Sequence, residues 1–238
     1  MKIAITGNWM LDTSVTRHMD NAQTAKVAIL SEKPDMVIFA GNYHRSGTPD
    51  ICHLKDLAEK AHLVYVCGKH DRPKRVRKAL EPLGNDVIGF SRLTHIEGVN
   101  ILAIPHLHDM NARDKASEYE ATGTLISQMA NSASDLVHHP RILIGHGIPF
   151  DINATDEFSW GAWGDEDYDA VIVGGSNSPM IVWNHTLCPG GLESIRVSGK
   201  MEERGYWIYD VDVAGGPKFV ALELLQSGAK DAIETLYG

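Results

Sequence analysis

Five short polar clusters, each closing an apolar run on glycine, hold most of the residues with which this chain could do chemistry. In order they read Gly7-Asn8-Trp9-Met10, Gly41-Asn42, Gly68-Lys69-His70-Asp71, Gly145-His146-Gly147 and Gly174-Gly175-Ser176-Asn177. Their side chains are amides, imidazoles, one carboxylate and one ammonium, a set rich in hydrogen-bond donors and acceptors. Directly after the third cluster, Arg72-Pro-Lys-Arg-Val-Arg-Lys78 puts five basic residues in seven positions. That run reads either as a solvated helix face or as a phosphate contact beside the clusters, with Lys69, His70, Arg72, Arg75 and Arg77 as anion-binding candidates. Two further groups, His106-x-His108-Asp109 and His138-His139, suggest a metal site, because histidines two apart share one face of a strand. Among 12 histidines, chance pairs of this kind are also expected.

The clusters need elements to position them. The runs before them, near 2–6, 35–40, 63–67, 141–145 and 169–174, are continuously apolar, as strands buried on both faces are. Between them lie helical patterns. One follows Asp12-Thr-Ser-Val, with a Thr or Ser cap, and ends before Pro34; others span 49–61, begin at Arg72, and span 112–129. Strand and helix alternation predicts βαβ units and a layered α/β fold, whose strand ends put the clusters on one edge. The stretch 149–167 is long and irregular, with Trp160 and Trp163 at its centre, and reads as a functional loop or a partner surface, or as two aromatics folded onto the core edge. Residues 180–225 turn β-rich, and 226–238 reads as an amphipathic tail. One domain over 1–225 is expected.

At 238 residues and 43% hydrophobic content the chain can bury a sizeable core. Its formal charge of −9 excludes a nonspecific nucleic-acid coat and leaves room for a local basic patch. Cys52, Cys67 and Cys188 form neither an even framework nor a metal spacing, which suits reduced thiols in the cytoplasm. No long apolar window points to a membrane.

The order and spacing of the five clusters resemble the calcineurin-like metallophosphoesterases, most closely the nuclease subunit of the SbcD type, over about residues 1–225. Cys188-Pro-Gly-Gly-Leu-Glu193, Arg204-Gly-Tyr-Trp-Ile-Tyr-Asp210 and Gly215-Gly-Pro-Lys-Phe-Val220 resemble that family's C-P-G-S-x-E element and closing hairpin. The resemblance implies an α/β sandwich of two central mixed sheets flanked by helices. It also implies two metal ions held by D-x-H, G-D, G-N-H-D, a lone His and G-H-x-H. Here the seven ligand positions are Asn8, Met10, Asn42, Lys69, His146, Gly175 and Asn177, and only His146 keeps the expected type. Asn8 and Asn42 have the shape of Asp without its charge. An ammonium about 4 Å from a dication would be repelled by roughly 8 kcal/mol at an effective dielectric near 20, so Lys69 is expected to fill the vacancy by bonding to Asn8, Asn42 or Asn177.

The resemblance therefore implies a metallophosphoesterase-fold pseudoenzyme with no cofactor, acting by binding a protein partner or a phosphate-bearing ligand. The competing reading is a phosphodiesterase or DNA nuclease with atypical ligands, using manganese or another divalent metal. His70 and Asp71 match the family's catalytic His and its neighbouring Asp, so a general acid and its orienting carboxylate are either retained or left over. Relatives of the SbcD type pair with an SbcC-type ATPase in DNA repair or recombination. They often dimerise through helices near the second motif, which marks 49–61 as a candidate homodimer face. The chain stops near 238 without the extension that would carry ATPase-binding helices, which weighs against that partner.

Overall fold

The computed structural model of the chain describes residues 1–12, 14–44, 51–88, 92–106, 124, 140–146, 168–176, 178–182, 186–192, 196–197, 200–201, 203–213 and 215–223. The helix expected over 112–129 (Thr124 apart), the stretch 149–167 with Trp160 and Trp163, and the tail 226–238 lie outside these. So do His108, Asp109, His138, His139, Asn177 and Glu193.

In chain order the elements are β1 (Lys2–Thr6), α1 (Thr16–Ser31), β2 (Met36–Phe39), α2 (Cys52–Ala58), β3 (His62–Val66), α3 (Pro73–Leu80), β4 (Asp86–Ile88), β5 (Arg92–Ile96) and β6 (Val99–Ile104). They continue with β7 (Arg141–His146), β8 (Ala170–Gly174), β9 (Met180–Val182), β10 (Thr186–Cys188), β11 (Arg196–Val197), β12 (Lys200–Met201), β13 (Arg204–Asp210) and β14 (Lys218–Leu222). Two six-stranded sheets form, β14-β13-β1-β2-β3-β4 and β5-β6-β7-β8-β10-β9. β1 to β4 are parallel, with β13 and β14 antiparallel beside them. β6, β7, β8 and β10 are parallel, with β5 and β9 antiparallel at the two edges. This is the expected α/β sandwich of two mixed sheets.

Strand alternation explains the layers. Ile3 and Ile5 of β1, Ile38 of β2, and Val64 and Val66 of β3 face the second sheet, where they pack with Ile101, Ile142, Ile144 and Ile172. Ala4, Val37, Phe39, Leu63 and Tyr65 face the other way and pack under Ala25 and Ile29 of α1, Leu54 and Leu57 of α2, and Val76 and Leu80 of α3. Both faces of the first sheet are buried, which is why its strands read as unbroken apolar runs.

The start of α1 differs from expectation. Val15 is its N-cap residue and supplies no side-chain cap. Asp12 instead accepts from the Ser14 N–H and hydroxyl at 3.0 and 2.6 Å, and its own N–H donates to His18 Nδ1 at 3.1 Å. The carboxylate thus forms a local turn ahead of the helix. In α2 the apolar residues Leu54, Leu57 and Ala58 enter this chain's own core. A dimer contact through that helix would have to use its outward residues Cys52, Lys55 and Glu59, which are exposed.

Candidate functional site

The carboxyl ends of β1, β2, β3, β7 and β8 bring three of the five clusters together in full, the fourth up to His146 and the fifth up to Ser176. The approach is close enough to require glycine. A Cβ on Gly68 would lie 2.5 Å from Asn42 Oδ1 and 2.7 Å from His146 Cε1, and one on Gly41 would lie 2.8 Å from His146 Nδ1. Gly41 also has φ 77°, in the left-handed region that glycine adopts freely.

Two amides form the centre of this edge. Asn8 and Asn42 have φ 53° and 57°, a conformation asparagine tolerates better than most residues. Both are buried. Asn42 Nδ2 donates to Asn8 Oδ1 at 3.0 Å, and Asn8 Nδ2 donates to the Ser176 carbonyl at 2.9 Å. The backbone N–H of His70 donates to Asn42 Oδ1 at 3.0 Å. Main-chain bonds from Asn8 N–H to the Gly41 carbonyl (2.7 Å) and from Met10 N–H to the Asn42 carbonyl (3.0 Å) run alongside. Side-chain amides therefore stitch together the loops after β1, β2, β3 and β8.

Asp71 corrects the sequence reading. Its carboxylate does not orient His70. Oδ2 accepts from the N–H groups of Asn42 (2.8 Å) and Gly68 (2.7 Å), and Oδ1 accepts from Tyr43 N–H at 3.0 Å. It is a buried clamp between the second and third loops, while the His70 side chain is exposed. Burial pushes the Asp71 carboxyl above its ordinary range, and the three N–H donors pull the other way. Burial, with Asp71 nearby, also holds the Tyr65 hydroxyl and the Cys67 thiol well above their ordinary values.

Lys69 is exposed, and Asn177, one of its three expected partners, lies outside the described residues. The bonds described above knit Asn8 and Asn42 to each other, to Ser176 and to the His70 backbone. Met10 (φ 51°) and Gly175 (φ 103°) are half-buried beside that cluster. His146 is buried, its Nδ1 3.3 Å from the Ala40 carbonyl, an arrangement that favours the Nδ1–H tautomer. His106, which the sequence paired with His108, is a neighbour of His146. His108 lies outside the described residues, and His106 lies past the end of β6 at Ile104. Its backbone N–H bonds to the Cys67 carbonyl at 2.9 Å, and its ring lies 6.2 Å from that of His146, nearly perpendicular. The parallel register of Ile104 with Gly145 foreshadows that meeting, once the strand pairing is known.

The basic run forms α3. Pro73 occupies its first turn, which carries no acidic residue. Val76 and Leu80 are buried, while Arg72, Lys74, Arg75 and Lys78 are exposed. Arg77 differs from these, since its Nε lies 2.8 Å from Glu81 four residues on.

This donor set does not fit a dinuclear centre of hard dications, which needs carboxylate oxygens to balance charge. The described positions offer two neutral amides bonded to each other, a thioether, a glycine, an exposed ammonium and one imidazole. The carboxylate of Asp71 is taken up by backbone amides. Among the described residues no group of three or more His, Cys, Asp or Glu side chains is placed to hold a metal, and no helix is long and apolar enough to cross a membrane.

No protein-family model matches the sequence, and no curated protein matches it. Solved structures do share its fold. The structure of GAP50, described as the anchor in the inner membrane complex of Plasmodium, matches with TM-score 0.55 and 14% identity over 93% of this chain and 84% of that one. A dimetal phosphatase from Danio rerio matches with TM-score 0.53 and 9% identity, over 87% of this chain and 91% of that one. The phosphoesterase YfcE from E. coli matches with TM-score 0.46 and 12% identity over 94% of both chains. At these identities the likeness is one of fold, the two-sheet α/β sandwich that the chain shares with GAP50 and the dimetal phosphatase.

Proposed function

We propose that this chain is a metallophosphoesterase-fold protein that does not hydrolyse phosphoesters and works by binding, as a pseudoenzyme. The observation that carries the reading is the bond from Asn42 Nδ2 to Asn8 Oδ1. Two positions that would need carboxylates to bridge dications are neutral and satisfy one another, so the edge is complete as a hydrogen-bonded web. With Lys69 exposed, its repulsion of a cation is screened by water, and the missing carboxylates become the larger obstacle. The fold alone does not decide the matter, since one structural neighbour is described as an anchor and another as a phosphatase.

The finer assignments rest on particular residues. Likeness to the SbcD type, and with it a place in DNA repair or recombination, rests on the order of the five clusters and on the segment beginning Cys188-Pro-Gly-Gly. That segment packs on the site, because a Cβ at Gly191 would lie 2.5 Å from the Asn8 carbonyl. A homodimer through the helix near 49–61, or an SbcC-type ATPase, are the partners this likeness suggests. Three free cysteines support a reducing, cytoplasmic setting. The test is hydrolysis of bis-p-nitrophenyl phosphate and of single-stranded and duplex DNA with manganese, magnesium or zinc. The expected result is no turnover above that of His146→Ala. Metal-dependent cleavage abolished by His146→Ala would establish the alternative, a phosphodiesterase or nuclease with atypical ligands.

A further inference from the structure

We infer that the outward face of α3 is a docking ridge for the sugar-phosphate backbone of nucleic acid. The inference deepens the binding role proposed above and rests on it. Taking about 100° per residue, Lys74, Lys78 and Arg75 fall within one arc of about 100°, on the side of the helix away from Val76 and Leu80. All three are exposed, as are Arg72 at the N-cap and Lys69 and His70 just before it. Among the described residues, Arg72, Lys74, Arg75 and Lys78 have no acidic partner. Glu81, the nearby acid, is held by Arg77 at the margin of the arc. A chain of net charge −9 thus gathers unneutralised cations on one short helix next to its strand-end site.

The spacing favours a regular polyanion. Lys74 and Lys78 are separated by about 6 Å along the helix axis, against one phosphate per about 3.4 Å on each strand of duplex DNA. Phe39, Tyr43 and Tyr65, which share a core cluster with Val76 and Leu80 of α3, are buried, so these rings offer no base-stacking platform beside the ridge. Lys74, Arg75 and Lys78 form an arc without an apolar side chain, so it suits phosphate contacts better than a protein interface or insertion into lipid. Binding by this ridge should be independent of sequence and steeply dependent on salt.

The test is fluorescence anisotropy with a labelled 20-base-pair duplex and a 20-nucleotide single strand. The wild type is compared with Lys74→Glu/Arg75→Glu/Lys78→Glu and with a control of equal charge change, Lys33→Glu/Lys60→Glu/Lys218→Glu; circular dichroism and thermal melting verify folding. Three phosphate contacts give a log–log salt slope of about −2.7, or an affinity loss of about 40-fold between 50 and 200 mM salt. The α3 variant is expected to bind at least 10-fold more weakly at 50 mM salt, and the control within about twofold of wild type. Absence of binding at 50 mM salt, equal losses in both variants, or binding to phosphatidylserine vesicles in place of DNA would overturn the inference. None of these outcomes bears on hydrolysis: a nuclease would cleave with manganese whether or not α3 held DNA, and a pure protein scaffold would fail both assays.

Discussion

Asp71 shows how far a residue's type can mislead when its partners are unknown. Beside His70 in the sequence it reads as the carboxylate of a catalytic pair, yet it accepts three backbone N–H groups and is buried with them. Asp71→Asn keeps the shape but turns a donor toward at least one of those N–H groups, so it should lower stability by about 1–3 kcal/mol. Urea unfolding with an unchanged m-value would report the loss, and a change below about 0.5 kcal/mol would mean the clamp is unimportant. The cysteines give a second test at this scale. Burial keeps Cys67 well above its ordinary pKa and pushes Cys188 up to about 12, while Cys52 is exposed. Maleimide at pH 7.5 should therefore label one thiol in the folded chain and three in denaturant. These raised values contribute full stability below about pH 9 and lose it as pH climbs toward the folded value, by at most about 1.4 kcal/mol per pH unit for Cys188.

Among the elements, the strands were legible because Ile3 to Ile5, Met36 to Phe39 and Val64 to Val66 are buried on both sides, leaving no polar alternation to blur them. The loops they feed were legible as glycine followed by polar residues. Contacts across loops were not, since neither the Asn8 bond to Ser176, 168 positions away, nor the meeting of His106 with His146 has a local signal. The pairing of Arg77 with Glu81 did have one, the i,i+4 spacing, and it separates Arg77 from the rest of the basic run. The segment before Leu192 belongs to the site by contact. Gly190 has φ 74°, and a Cβ at Gly191 would press on the Asn8 carbonyl. Gly191→Ala should therefore cost about 1–3 kcal/mol through displaced backbone, seen as a lowered melting temperature. Wild-type melting behaviour would show that the loop after β1 yields without strain.

At the scale of the molecule, the carboxyl ends of β1, β2, β3 and β8 gather a web of bonded amides at one edge of the sandwich. If donor identity sets metal affinity at this edge, adding charge should raise it: Asn8→Asp/Asn42→Asp should bind manganese at least 10-fold more tightly than wild type in isothermal titration. Equal affinities would place the obstacle elsewhere. The most direct measurement is elemental analysis of the wild-type chain after incubation with excess manganese and desalting. The account predicts metal far below one equivalent per chain, whereas one or two retained equivalents, lost in His146→Ala, would contradict it.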